Sequence, residues 1–234
     1  TGLYIDGDCR DFVIEENIIS NNSSYGINVY NNSYGNVYYN LVIDNGNDGI
    51  RLYGVYNGSC YAVGNTIHSN TGNGIYFYSW SSSNYTLTAV NNSITNNNGS
   101  GLYLSSGGNY NTINYNNSWD NSSSNYGGNL PDGTGNLTNV NTNGTVCDIY
   151  NNISENPSYV NPNNGDFSLE PTSVNIDAGN PVFTDSDDTP SDIGSFTFFQ
   201  DVPLMVVSPS SLNFGQTIVG QGATLYFTIE NIGI

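Results

Sequence analysis

The 234-residue sequence contains no lysine, two arginines (Arg10 and Arg51) and one histidine (His68), set against 20 acidic residues, so its formal net charge is −18. That imbalance excludes nucleic acid and anionic membrane surfaces as partners, because both need cationic side chains to neutralise phosphate. Polyanionic sugars would need a bridging cation, which leaves neutral glycans, cations and other proteins. Helical periodicity is missing, and no apolar run approaches the length of about 18 residues that marks a membrane span, so no direct membrane insertion is expected. Three cysteines, Cys9, Cys60 and Cys147, are too few and too far apart to read as a disulfide framework or a zinc site. Thr1-Gly2-Leu3 enters the pattern described next without signal-peptide character, and the expectation is a piece of a longer precursor.

Asparagine, by contrast, makes up about a sixth of the chain, and 27 glycines accompany it. Such a composition disfavours helices and suits short strands joined by many turns. A repeat organises these residues: Gly2-Leu3-Tyr4-Ile5, Gly26-Ile27-Asn28-Val29, Gly49-Ile50-Arg51-Leu52, Gly74-Ile75-Tyr76-Phe77 and Gly101-Leu102-Tyr103-Leu104. A second landmark keeps step with it: Asn17-Ile18-Ile19, Asn40-Leu41-Val42, Asn65-Thr66-Ile67, Asn92-Ser93-Ile94 and Asn117-Ser118-Trp119. A coil of three short strands and three turns needs roughly 20–27 residues, and equivalent positions then stack at about 4.8 Å. Three inward columns are expected: Leu3, Ile27, Ile50, Ile75 and Leu102; Ile5, Val29, Leu52, Phe77 and Leu104; and Ile19, Val42, Ile67, Ile94 and Trp119. Asn17, Asn40, Asn65, Asn92 and Asn117 are expected to form a hydrogen-bonded ladder at a turn. The recurrent glycine is assigned to a position of positive φ.

These coils resemble the right-handed parallel β-helix repeats of pectate-lyase-like and NosD-like surface proteins. The resemblance continues through Asn152-Ile153-Ser154-Glu155-Asn156-Pro157, Asn164-Gly165-Asp166-Phe167, Ile176-Asp177-Ala178-Gly179-Asn180-Pro181 and Ser191-Asp192-Ile193-Gly194, which are similar to the closing segment of many secreted bacterial β-helix proteins. The fold class expected is therefore all-β, a right-handed parallel β-helix over residues 1–200, with regular coils at 1–128 and irregular closing coils at 129–200. From Leu204 three alternating apolar strands read as a β-sandwich fragment over 201–234. Ser208-Pro209-Ser210-Ser211-Leu212-Asn213-Phe214-Gly215, with Val219-Gly220 and Ile229-Glu230-Asn231-Ile232-Gly233, resembles the opening strands of the ASH/hydin immunoglobulin-like family. A domain of that kind runs to about seven strands, so another segment or chain would have to complete it.

Enzymatic relatives of the β-helix class act on polysaccharides, and their lyases combine calcium-binding acids with a basic residue that abstracts a proton. The basic repertoire is two arginines, of which Arg51 sits in the outward column after Gly49-Ile50, close to Asp48, and reads better as a solvated ion pair. The Asn-Thr-Asp, Asp-Asp and His-Gly motifs of the hydrolase branch are absent from the coils. His68 has no second histidine or cysteine nearby and reads as a surface residue. No catalytic residue is assigned. The outward columns of the first strand place Tyr30, Tyr53 and Tyr78 on consecutive coils, with Tyr76, Tyr103 and Arg51 beside them. Sugar rings lie on aromatic faces of this kind, although stacked tyrosines also stabilise sheets by themselves. Asp185, Asp187, Asp188 and Asp192 form an acid-rich loop with oxygen ligands suited to calcium, or else a solvated turn; no cofactor is required.

The function expected is a non-enzymatic, secreted or cell-surface module for adhesion, glycan contact or scaffolding, with polysaccharide or other surface proteins as partners. A polysaccharide lyase or glycoside hydrolase, or a self-assembling fibre or surface-layer subunit, are the alternatives.

Overall fold

The computed structural model describes residues 1–55, 58–79, 86–105, 111–200, 205–209, 211–213, 222 and 224–231. It falls into two units, Thr1–Phe198 and Phe199–Ile234. In the first, three parallel sheets run side by side as the faces of a solenoid. The first sheet stacks Leu3–Ile5, Ile27–Val29, Ile50–Val55, Ile75–Ser79, Ser100–Leu104 and Ser124–Gly128; the second stacks Arg10–Glu15, Tyr34–Tyr38, Ser59–Val63, Thr86–Val90 and Thr112–Asn114. The third stacks Ile18–Ser20, Leu41–Ile43, Thr66–His68, Ser93–Thr95 and Asn117–Trp119.

Registry follows the repeat. Leu3, Ile27, Ile50, Ile75 and Leu102 pair in sequence, as do Ile5, Val29, Leu52, Phe77 and Leu104. From the second coil onward both columns are fully buried. Strands this short turn only alternate side chains into the coil, so each coil depends on the next for its core, and every buried Ile or Leu contributes about 1.5–3 kcal/mol.

The third column holds as Ile19, Val42, Ile67 and Ile94, but its fifth member is Ser118, and Trp119 pairs with Thr95 on the outward side. Asn116, not Asn117, is correspondingly the ladder residue. Adjacent asparagines make the two registers look alike in sequence, yet a one-residue slip exchanges the two faces of a strand. Burying a hydroxyl opposite Ile94 leaves the indole free to face outward, where its bulk fits.

The ladder runs Asn17, Asn40, Asn65, Asn92, Asn116 and then Asn152, each residue donating its backbone N–H and its Nδ2 to the next Oδ1 at 2.9–3.1 Å. A second ladder, not anticipated from the sequence, repeats the arrangement five residues later with Asn22, Asn45, Asn70, Asn97 and Asn121, and ends on Asn125. The residue before each rung except Asn125 adopts positive φ, among them Glu16, Tyr39, Gly64 and Asn91 in the first corner and Asn21, Asp44, Ser69 and Asn96 in the second. A left-handed residue turns the chain sharply, and the following amide satisfies the polar groups that the turn exposes.

The recurrent glycine serves another purpose than the one expected. Gly26, Gly49 and Gly74 are absent from the positive-φ positions. A Cβ on Gly74 would sit 2.2 Å from Ile94 Cγ2, and one on Gly49 would meet Ile67 Cγ2 at 2.7 Å and Asn70 Nδ2 at 2.9 Å. Glycine is required because the first sheet's entry passes directly against the third inward column and the second ladder.

Past Gly128 the chain adds one degenerate rung, in which Ile153 bridges parallel to Asn117. It then returns along the outer face of the third sheet. Phe167 packs with Leu41 and Ile43, joined by Tyr159 and Phe196. Hydrogen bonds fasten this return: Asn175 Nδ2 donates to Ser93 Oγ at 3.0 Å, Asn180 N–H to Asn91 Oδ1 at 2.9 Å and Ser195 N–H to Thr66 Oγ1 at 3.0 Å.

In the second unit Met205–Ser208 pairs antiparallel with Thr228–Asn231. These correspond to the first and last of the three strands read from sequence. Ser211–Asn213 of the middle one carries no strand, and Leu204, Phe214, Gly215, Val219, Gly220, Ala223, Ile232 and Gly233 lie outside the described residues.

Candidate functional site

The outward row of the first sheet is the surface to which the tyrosine pattern pointed. Asn28, Arg51, Tyr76 and Tyr103 are in register on successive coils. Beside them the rings of Tyr30 and Tyr53 stack with centroids 5.2 Å apart and 8° between planes, and Tyr53 and Tyr78 stack at 4.7 Å and 22°. Tyr76 and Tyr103 stack at 5.9 Å and 9°. Parallel strands force this, since side chains at equivalent positions repeat at the sheet spacing.

Two features of this strip were not visible in the sequence. Arg51 lays its guanidinium 4.2 Å from the Tyr53 ring centroid and 4.7 Å from that of Tyr25, so Tyr25 belongs to the strip as well. The cation is thus held by aromatic faces, and Asp48 is engaged elsewhere: Asp48 Oδ1 accepts from the backbone N–H and the Nδ2 of Asn73 at 2.7 and 2.8 Å. Burial raises the Asp48 carboxyl above its ordinary range, while Asn73's donors and Arg51's charge pull the other way. Stacking has a second consequence: Tyr30, Tyr78 and Arg51 occupy the faces of the Tyr53 ring. A ligand on the middle of this strip therefore meets ring edges, phenol hydroxyls and the guanidinium.

The four loop aspartates are distributed differently from the way a metal site would use them. Asp185 Oδ2 accepts from Asp192 N–H at 2.9 Å, and Asp187 Oδ1 accepts from the N–H and the hydroxyl of Thr189 at 3.2 and 2.8 Å. Asp192 accepts from Asp177 N–H at 2.9 Å and from Phe198 N–H at 2.6 Å, while Asp188 is exposed in a left-handed turn. Among the described residues no group of three or more His, Cys, Asp or Glu side chains is arranged to hold a metal ion. Desolvation pushes the Asp192 carboxyl up to about 7, offset in part by its two backbone donors. Its proton is held more tightly in the folded chain than in the unfolded one, so its stabilising contribution is complete below pH 4 and is lost as pH rises toward 7. The unfolding free energy measured by urea denaturation is expected to fall between pH 4 and 7, by an amount on the order of 2–4 kcal/mol from this group. Asp192→Asn should flatten that part of the slope, and an unchanged slope in the variant would refute the assignment.

His68 is not a surface residue. It is 9% exposed, with Nδ1 2.8 Å from Thr95 Oγ1 and its ring edge-on to Phe167 at 5.1 Å. It does point away from the coil interior, as its place in the repeat requires, but the returning segment covers it. Burial lowers its pKa, with Asp44 opposing.

The fold therefore defines a class: a parallel β-solenoid whose corners are held by two asparagine ladders and whose first sheet displays an aromatic strip. A family model described as right handed beta helix region matches residues 1–118, and the chain belongs to that family. No curated protein and no solved structure matches it. No helix among the described residues is long and apolar enough to cross a membrane.

Proposed function

We propose that this chain is a non-enzymatic β-helix module, secreted or displayed on a cell surface, that contacts neutral glycans through the Tyr30–Tyr53–Tyr78 strip and its Arg51, Tyr76 and Tyr103 neighbours. The observation that carries this reading is the strip itself: five tyrosines and Arg51 are fixed at sheet pitch on a rigid face. Pitch fixes which groups a ligand meets, namely hydroxyls at the ring edges and one cation, and polar contacts of that kind suit sugar hydroxyls. Scaffolding is the solenoid's own contribution, because its stacked rungs give length without flexibility.

A glycan array probed with and without calcium tests this, followed by reducing-sugar and unsaturated-product assays on every hit. Binding without turnover is the expected result. Turnover that disappears in Arg51→Ala would replace this reading with that of a lyase, and silence across the array would end it. Tyr53→Ala should weaken glycan binding about tenfold. It should also lower stability by roughly 1–2 kcal/mol, since Tyr53 is the middle ring of the stack. Tyr53→Phe separates the two effects: it retains the stacking energy and loses only the hydroxyl contact, so undiminished affinity in Tyr53→Phe would exclude the hydroxyl edge as the contact.

A further inference from the structure

Where the returning segment crosses the third sheet it leaves a pocket of about 220 Å³, lined by Trp119, His68 and Asn96 from the sheet side and by Asn156, Pro157 and Pro162 from the return. From this pocket we infer a second binding site, one that takes a single neutral pyranose ring.

Each part of the inference follows from the lining. Trp119 is half-buried on the outward side of its strand, because the fifth coil turns Ser118 inward. Among the described residues no aromatic ring stacks on the indole, unlike the tyrosines of the first sheet, and the indole forms part of the pocket wall, where an aromatic surface suits the axial C–H groups of a sugar. Two amides flank it. Asn156 uses Oδ1 to accept from Ser158 N–H at 2.9 Å, which leaves Nδ2 as a donor toward a ligand, and Asn96 is exposed at its left-handed corner. His68 has Nδ1 engaged by Thr95, and Nε2 is the ring nitrogen left over.

Charge and size narrow the ligand. Desolvation disfavours the charged imidazole, with Asp44 opposing, and the other lining residues, Thr95, Ser158 and Tyr159 included, carry no carboxylate, lysine or arginine. An uncharged ligand is therefore favoured, in keeping with a surface whose net charge of −18 repels anions. The volume lies below the roughly 300–1,000 Å³ of pockets that enclose drug-sized ligands, which suits one ring of a chain end or branch and not an extended polymer. Two prolines in the wall fix its shape in advance and reduce the ordering that binding would require.

This site is independent of the tyrosine strip, and the test keeps the two apart. The chain has two tryptophans, Trp80 and Trp119, so Trp80→Phe leaves Trp119 as the single indole reporter. Methyl glycosides of glucose, galactose, mannose and N-acetylglucosamine are titrated against this variant, following indole emission and ligand saturation-transfer NMR. At least one glycoside should give a saturable millimolar response that Asn156→Ala weakens several-fold and Tyr53→Ala leaves unchanged. Trp119→Ala should abolish the NMR transfer, with circular dichroism unaltered because the indole is outside the coil interior. No response from any of the four glycosides, or a response indifferent to both Asn156→Ala and Trp119→Ala, would overturn the inference. Loss of the response in Tyr53→Ala alone would assign it to the strip and overturn it equally.

Discussion

Asn92→Ala is expected to lower the unfolding free energy by roughly 3–6 kcal/mol, the largest effect of any single polar-to-alanine change in the coils. Asn92 is fully buried. Its Nδ2 donates to Ala62 O at 2.7 Å, Val90 O at 3.1 Å and Asn116 Oδ1 at 2.9 Å, and its Oδ1 accepts from the N–H and Nδ2 of Asn65 at 3.1 and 2.9 Å. Alanine removes all of these at once and strands buried donors and acceptors on both neighbouring coils, each at about 1–3 kcal/mol. A cavity where the amide stood adds to the loss, since water has no path to a position packed between rungs. Asn98→Ala provides the comparison: Asn98 is exposed on the same coil, and its substitution should change stability by less than about 0.5 kcal/mol. Urea denaturation followed by far-UV circular dichroism measures both, and equal midpoints for the two variants would refute the ladder as a major source of stability.

How much of this was legible in the sequence depends on the range of the contact. The inward columns were readable because each residue's environment is supplied by its own equivalents about 23–27 positions away, so the repeat encodes its own partners. The first asparagine ladder was readable for the same reason, and the second was equally encoded, in Asn22, Asn45, Asn70, Asn97 and Asn121, each five residues beyond a rung of the first. The glycine's purpose was not readable. Positive φ and steric exclusion both select glycine, and only the distance from Gly74 to Ile94 decides between them. His68 and Trp119 were misplaced for two further reasons. His68 is covered by Phe167, which follows it by about a hundred residues and obeys no period. Trp119 follows an Asn-Asn pair that permits two registers, and bulk decides between them: an indole cannot fit opposite Ile94 where a serine does. The tyrosine strip was visible as a column, but its consequence, that neighbouring rings occupy one another's faces, needed the interplanar angles.

The first ladder, in which every rung donates toward the C-terminal side, ends on a group that accepts from its last rung, Asp148. It is fully buried. Oδ1 accepts from Tyr150 N–H at 2.7 Å and Asn152 N–H at 2.9 Å, and Oδ2 from Gly135 N–H at 2.7 Å and Asn152 Nδ2 at 3.0 Å. All four groups facing the carboxyl are donors, and its two oxygens accept from them together. Asp148→Asn retains the shape and places an N–H₂ against one of those donors, which removes at least one hydrogen bond and creates a donor–donor clash. A loss of roughly 3–5 kcal/mol is expected, well above that of a neutral exposed site such as Asp132→Asn. The damage should also be local before it is global. Amide hydrogen exchange is expected to accelerate first at Asn152, Ile153 and Asn116, the rungs nearest the terminator, while Val42 and Ile67 retain their protection. Uniform acceleration along the solenoid would show that Asp148 contributes only to overall stability, and that the ladder does not need an acceptor at its end.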